Sequence, residues 1–91
     1  MLSDKDLADM EARCAAATTG PWLSFVEGRD HQSGSSFIRT TSPDGAGRGP
    51  DIELAGATAA DQDFIAHART DVSALVKEVI ELRARLSGRS R

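Results

Sequence analysis

Residues 61–86, DQDFIAHARTDVSALVKEVIELRARL, contain most of the strong apolar periodicity of the chain and decide its fold. The spacing predicts two helices in series. We expect a break between them at Arg69-Thr70-Asp71, because Thr70 or Asp71 can cap the second helix. The first of these helices is predicted to bury Phe64, Ile65 and Ala68.

The second of these helices carries a heptad pattern of apolar residues. Val76 and Ile80 widen the stripe, so we expect it to cover the sheet, a partner helix, or both. A domain this small is marginal in stability alone. The pattern therefore predicts a homodimer or a higher homo-oligomer with this helix as the seam. The heptad positions are Val72, Leu75, Val79, Leu82 and Leu86.

The N-terminal residues predict a further helix, from Ser3 to about Ala17. Residues 18–21 end it, because Gly20 can adopt the left-handed conformation and proline cannot continue a helix. Serine or threonine followed three residues later by an acidic residue is typical of a helix start. The predicted capping pairs are Ser3 with Asp6 and Thr58 with Asp61.

Between the helices, three short β-rich segments predict an antiparallel meander. Pro, Asp and Gly in residues 42–45 predict a turn before the third strand. The fold class is therefore α+β, with an N-terminal helix, a three-stranded meander and two C-terminal helices. We expect a single domain over residues 1–86 and a basic disordered tail at residues 87–91. The predicted strands are residues 22–26, 35–41 and 51–55.

The formal charge of −3 is spread unevenly along the chain. Residues 1–82 contain fourteen acidic and seven basic side chains, whereas four arginines lie in the last nine residues. An acidic body disfavours nucleic-acid binding through a broad basic face, although the tail can touch an anionic partner. Without a signal peptide or a long apolar run, we expect a cytoplasmic protein that does not enter a membrane.

Metal binding and nucleophilic catalysis find little support in the residue spacing. The two histidines and Cys14 do not form a pattern typical of a metal site. No serine lies in the elbow motif of a hydrolase. The glycine-rich loop at residues 45–49 lacks the lysine of a P-loop. We therefore expect no metal, no cofactor and no enzymatic activity.

Polar side chains are concentrated in the loops of the predicted meander. Loops on a rigid scaffold commonly carry binding sites, and arginine recognises phosphate and carboxylate groups with paired hydrogen bonds. The sequence therefore predicts a pocket for an anionic ligand such as a nucleotide, although the same residues are also typical of an ordinary solvated loop. The predicted ligand-binding residues are Arg29, His31, Arg39 and Arg48.

Two stretches resemble a known family. The first is AAATTGPW, residues 15–22, and the second is D-x-x-F-I-A-x-A-R-T-D-V-S-x-L-V-x-E-V-x-x-L-R, residues 61–83. Together they resemble the Ead-like early proteins, which are small accessory proteins of phages and prophages of high-GC hosts. The chain differs from that pattern at Thr19 and Ser73, where the family has proline.

The resemblance implies a non-enzymatic accessory protein in the cytoplasm of an infected bacterial host. It also implies that the shared residues are structural, with Trp22 as an anchor after a turn. Arg69 is expected to pair with Asp71 or with a carboxylate of the N-terminal helix. The predicted structural residues are Trp22, Phe64, Arg69, Asp71, Leu75, Val79 and Leu82.

Three functions are open from the sequence. The first is a protein-binding inhibitor of a host defence component. The second is an oligomeric sponge that sequesters an anionic nucleotide signal. The third is a nucleic-acid-associated regulator that uses the arginine tail, and the acidic body makes it the least favoured. We expect the specificity to lie in residues 27–50, between the two shared motifs.

Overall fold

The chain folds into two helices and one three-stranded sheet in a computed structural model that describes residues 1–89. The strands form one antiparallel sheet in the order β1-β2-β3. The α+β class, the N-terminal helix and the three-stranded meander are therefore confirmed. The elements are α1 (Asp4–Ala16), β1 (Leu23–Phe25), β2 (Phe37–Thr41), β3 (Arg48–Ile52) and α2 (Ala59–Arg89).

Two capping pairs define where the helices start. The Ser3 hydroxyl accepts from the Asp6 amide at 3.0 Å, and the Asp6 carboxylate accepts from the Ser3 amide at 2.9 Å. Thr58 and Asp61 exchange the same two bonds, at 3.0 and 3.1 Å, before α2. Both predicted capping pairs are confirmed, and each satisfies two backbone donors that a helix start leaves open.

The end of α1 differs from the prediction. The helix stops at Ala16, and Ala17 turns the backbone into an extended conformation. Gly20 is not among the glycines with positive φ, so the predicted left-handed cap at this position is wrong. Gly20 is instead a point of close approach, because a Cβ there would lie 3.2 Å from Cγ of Arg69.

Helix α2 continues through Arg69-Thr70-Asp71, so the prediction of two C-terminal helices is wrong. Threonine and aspartate lower helix propensity by only about 0.7 kcal/mol each, and no glycine or proline lies between residues 59 and 87. A good capping residue makes a break less costly but does not force one.

The predicted disordered tail begins within this helix, which includes residues 87–89, and residues 90 and 91 lie outside the described residues.

The third strand lies three residues earlier than predicted. Gly49 and Pro50 disfavour strands, but β3 is an edge strand, where proline is tolerated. A Cβ on Gly49 would lie 2.6 Å from the carbonyl oxygen of Thr41. Glycine at this position therefore allows β2 and β3 to approach.

Contacts divide the chain into two compact units, and the expectation of a single domain stays a prediction. The sheet unit is Thr18–Thr70. Its buried residues are Ile38 and Thr40 on one face of β2, and Gln62 and Ala66 on α2. The Gln62 amide nitrogen lies 3.0 to 3.2 Å from the Ser24 hydroxyl and from two carbonyl oxygens, those of Phe25 and Phe37.

This polar contact corrects the predicted core of α2. The stripe of α2 that includes Gln62 and Ala66 is the buried one, whereas Phe64 is 74% exposed and Ile65 is 36% exposed. The backbone carbonyls at the ends of β1 and β2 require a donor. Gln62 supplies that donor. The side of α2 that faces the sheet is therefore the one that carries Gln62, and not the one with the bulkiest apolar side chains.

The helical unit consists of Met1–Ala17 and the chain from Asp71. Arg83 donates to the Asp4 carboxylate at 3.1 Å and to the Leu2 carbonyl at 2.6 Å. The start of α1 therefore lies beside the C-terminal part of α2. Leu7 and Val76 are buried, whereas Leu75 and Leu82 are exposed and Val79 is half-buried.

Candidate functional site

The outward face of the sheet carries a pocket of about 450 Å³, within the range of about 300–1,000 Å³ typical of ligand sites. Successive side chains of a strand point to opposite faces. Because Ile38 and Thr40 face the core, Phe37 and Arg39 face outward. We call this site the sheet pocket. Its principal residues are Phe25, His31, Phe37, Arg39, Arg48 and Asp51.

Aromatic rings form the floor of the sheet pocket. Phe25 and Phe37 are directly paired across β1 and β2. Their ring centroids are 5.3 Å apart, with 17° between the ring planes. His31 lies against both, at 5.1 Å from the Phe37 centroid and 6.3 Å from the Phe25 centroid. The site therefore combines a flat apolar surface with polar groups at its edge.

Each phenylalanine holds one guanidinium group. The Arg39 guanidinium carbon lies 5.4 Å from the Phe25 centroid, and that of Arg48 lies 5.6 Å from the Phe37 centroid. Such cation–π contacts restrict the guanidinium without using its N–H donors. Both arginines are therefore positioned by contacts that do not use their N–H donors.

The two arginines differ in what else they bind. Arg48 donates to Asp51 at 2.6 Å. Across residues 1–89, the Arg39 guanidinium has neither an ion pair nor a side-chain hydrogen bond. A half-buried guanidinium without an acceptor favours a ligand that brings an anionic group.

His31 contributes an unsatisfied nitrogen to the same site. The Ser33 amide donates to Nδ1 of His31 at 3.1 Å, which assigns the proton of the neutral ring to Nε2. In the part of the chain that the structure describes, Nε2 is buried and has no hydrogen-bond partner. A buried donor left unpaired costs about 1–3 kcal/mol. The His31 ring therefore lines the sheet pocket while its Nε2 is shielded from solvent.

The charges that line the sheet pocket cancel. Asp51 and Glu53 stand opposite Arg39 and Arg48, so the formal sum is zero with His31 neutral. A polyanion such as a nucleic-acid backbone gains little from such a lining. A small ligand with both an anionic group and hydrogen-bond donors matches it better.

Arg29, the fourth predicted ligand-binding residue, does not line the sheet pocket. Its guanidinium donates to both carboxylate oxygens of Asp63, at 2.8 and 2.9 Å, and it also binds Asp30. The bonds from Arg29, followed by one from Ser24, hold the pKa of Asp63 well below its usual range. The same pair raises the pKa of Arg29. Arg29 therefore fastens the β1–β2 loop to α2.

Two of the predicted structural residues meet at one carbonyl. The Trp22 indole donates to the Thr18 carbonyl oxygen at 3.0 Å, and Nε of Arg69 donates to the same oxygen at 2.9 Å. Arg69 thus binds a backbone carbonyl, where an ion pair with Asp71 or with a carboxylate of the N-terminal helix was expected. Asp71 is exposed.

Three important residues were missed from the sequence. Phe25 and Phe37 were assigned to strands but not to the site, although one aromatic on each of two paired strands is a signal for a cross-strand pair. Gln62 had no such signal, because only the register of α2 on the sheet shows what it must bind.

Within residues 1–89, no cluster of three metal-binding side chains occurs. The same residues contain no helix long and apolar enough to cross a membrane.

Comparison with protein-family models found none that matches the chain, and comparison with curated proteins and with solved structures found no match either. The resemblance of residues 15–22 and 61–83 to the Ead-like early proteins stays a prediction.

Proposed function

We propose that this protein binds a small anionic ligand of the nucleotide class in the sheet pocket. The observation that carries the proposal is the Arg39 guanidinium, which lies over the Phe25 ring and forms no ion pair within residues 1–89. A phosphate oxygen pair matches the planar fork of arginine donors. Arg39 is therefore the proposed primary phosphate ligand.

The remaining groups of the pocket suit the rest of a nucleotide. Purine and pyrimidine rings stack on arginine planes and on aromatic side chains. Asp51 and Glu53 are acceptors for sugar hydroxyls or an exocyclic amine. The His31 ring extends the aromatic surface beside Phe37. In this proposal the ligand is held without chemical conversion.

The biological role proposed for this binding is sequestration of a nucleotide signal of a host defence system. It is supported by the resemblance in residues 15–22 and 61–83 to phage accessory proteins, which also favours action in the host cytoplasm. Sequestration requires only affinity and abundance. A pocket that binds without converting its ligand is sufficient for it.

Ligand-dependent thermal stabilisation tests this function, because binding to the native state alone raises its apparent stability. We expect AMP, ADP, ADP-ribose or a cyclic dinucleotide to raise Tm. Adenosine lacks the phosphate group and inorganic phosphate lacks the base and sugar, so each should raise Tm less than a nucleotide at equal concentration. No rise with any of these nucleotides at millimolar concentration would refute the proposal.

The substitution Arg39→Gln isolates the proposed phosphate contact. Loss of a charge-assisted bond is worth about 1.5–3 kcal/mol, so we expect affinity for the stabilising nucleotide to fall by roughly 10- to 100-fold in calorimetric titration. Arg85→Gln is the matched control, because Arg85 pairs with Glu81 on α2 and does not line the pocket. If both variants bind the nucleotide with equal affinity, Arg39 is not the phosphate ligand.

A second candidate function is a protein-binding inhibitor of a host defence component. It is favoured by a shallow depression formed by Leu54 and Ala57 with the exposed side chains of Phe64 and Ile65. Exposed aromatic side chains are common anchors of protein interfaces. Capture of one host protein by the wild-type chain, and its loss with Phe64→Ser but not with Arg39→Gln, would support this function over nucleotide binding. Capture that Phe64→Ser leaves unchanged would refute it.

The third function, nucleic-acid association through the arginine tail, rests largely on residues 87–91. Two of these lie outside the described residues. No described contact favours this function over the other two.

A further inference from the structure

The helical unit leaves a row of large apolar side chains exposed along α2. Leu75 is 63% exposed, Leu82 is 47% exposed and Val72 is 42% exposed. With the half-buried Val79 between Leu75 and Leu82, these residues follow one another at intervals of three and four positions, which places them on one side of an α-helix. Three such side chains in one row form a continuous surface rather than scattered single exposures.

The residue types in this row specify what covers it. In a heptad frame, Val72 and Val79 occupy the first two a positions and Leu75 and Leu82 the d positions, and Leu86 follows at the third a position. A β-branched residue at a with leucine at d is the pattern that favours two parallel strands. We propose that α2 pairs with α2 of a second copy of this chain as a parallel, in-register coiled coil. We call this row of four residues the seam.

The flanking charges agree with the parallel arrangement. Glu78 occupies the g position and Arg83 the next e position, and in a parallel coiled coil these two positions of opposite chains are neighbours. Arg83 is already fixed by its bonds to Asp4 and to the Leu2 carbonyl. Each dimer would therefore bring two glutamates towards two pre-positioned arginines.

A second copy is a better occupant than an unrelated protein because the pattern is self-complementary. In a parallel, in-register pair of helices, each a and d layer is formed by the same residue of the two chains. Valine layers alternating with leucine layers satisfy that requirement without any other sequence. The proposal is independent of the sheet pocket, whose residues all lie within Thr18–Thr70.

Sedimentation equilibrium of the full chain provides the first test. We expect a dimer at micromolar concentration, and Leu75→Lys should raise its dissociation constant at least about 100-fold, since two leucines lose their burial per dimer. Ala74→Lys adds the same charge at the neighbouring exposed c position and should leave the dimer intact. The proposal would be overturned if the wild-type chain is a monomer at about 100 µM. It would also be overturned if Leu75→Lys dimerises with wild-type affinity.

Cysteine cross-linking tests orientation and does not depend on how well Leu75→Lys folds. In a Cys14→Ser background, Val72→Cys should form a covalent dimer on mild oxidation, because the two copies of an a position meet only when the chains are parallel and in register. Lys77→Cys, at the outward f position, is the control for random collision. If Val72→Cys links only to a Leu82→Cys chain, an a position meets a d position, so the helices are antiparallel and the proposal is wrong.

Discussion

Gln62 is the single side chain on which the docking of α2 to the sheet depends most. It is 4% exposed, and its amide reaches the backbone carbonyl oxygens of Phe25 and Phe37. We expect Gln62→Leu to lower the free energy of unfolding by about 1–3 kcal/mol, because two buried acceptors lose their donor. Urea unfolding at neutral pH measures this change.

The same substitution at the other glutamine of the chain gives the control. Gln32 is exposed in the β1–β2 loop, so Gln32→Leu should change stability by less than about 0.5 kcal/mol. If Gln62→Leu is as mild as Gln32→Leu, the amide contributes no net stability and apolar packing alone positions the helix.

Ionisation of Asp63 makes the free energy of unfolding depend on pH in the acid range. Hydrogen bonds from Arg29, and next from Ser24, hold its folded pKa below the ordinary value of 3.8. A depressed folded pKa contributes stability that is fully present above the ordinary pKa and is lost as pH falls towards the folded pKa. We therefore expect wild-type stability to fall below about pH 4 and Asp63→Asn to flatten that fall while lowering stability at neutral pH.

Urea unfolding from neutral pH down to about pH 2 measures the slope in both proteins. Asp9→Asn is the comparison, since it removes a carboxylate from an exposed pair with Lys5 on α1. Parallel acid limbs for wild type and Asp63→Asn would mean that the Arg29–Asp63 pair persists in the unfolded chain or contributes nothing.

At the scale of elements, α2 shows how far local signals reach. Its start at Thr58 and Asp61 followed from residue types alone, because a cap is made by neighbours in sequence. Its continuity and its buried stripe did not, since both depend on the sheet. Periodicity identified an apolar stripe that Val76 widens, but only packing shows that Val76 is buried while Leu75 and Leu82 are exposed.

The sheet pocket follows the same division. Arginine and histidine in a region of loops and strands predicted three of its members, because these residue types are typical of anion binding. Arg29 has the same chemistry and was assigned to the pocket, but Asp63, 34 positions away in the sequence, binds it. A partner so distant along the chain cannot be found from local patterns.

Ser73 offers a test of why α2 is continuous. It lies inside the helix at a position where the Ead-like pattern has proline. Ser73→Pro removes one backbone hydrogen bond and introduces a ring clash, so we expect a loss of helix and a destabilisation of about 3 kcal/mol or more. Circular dichroism with urea unfolding measures both, and Ser73→Ala should remain fully helical. A Ser73→Pro protein of wild-type stability would show that the chain accepts a break here, as the two-helix prediction supposed.

At the scale of the whole molecule, the two proposed interactions draw on separate residues. The sheet pocket uses side chains between Phe25 and Glu53, whereas the seam uses side chains from Val72 onward. Substitutions that share no partner usually add in free energy to within about 0.3–0.5 kcal/mol. We therefore expect ligand affinity to depend on Arg39 and not on Leu75.

This expectation separates a pocket complete in one chain from an oligomeric sponge whose site requires two. Titration calorimetry of the nucleotide that stabilises wild type should give equal affinity for wild type and for monomeric Leu75→Lys. The double variant Arg39→Gln/Leu75→Lys should then bind no more weakly than Arg39→Gln. If Leu75→Lys alone loses tenfold or more in affinity, a coupling of about 1.4 kcal/mol joins the two interactions, and a second copy must complete or stabilise the pocket.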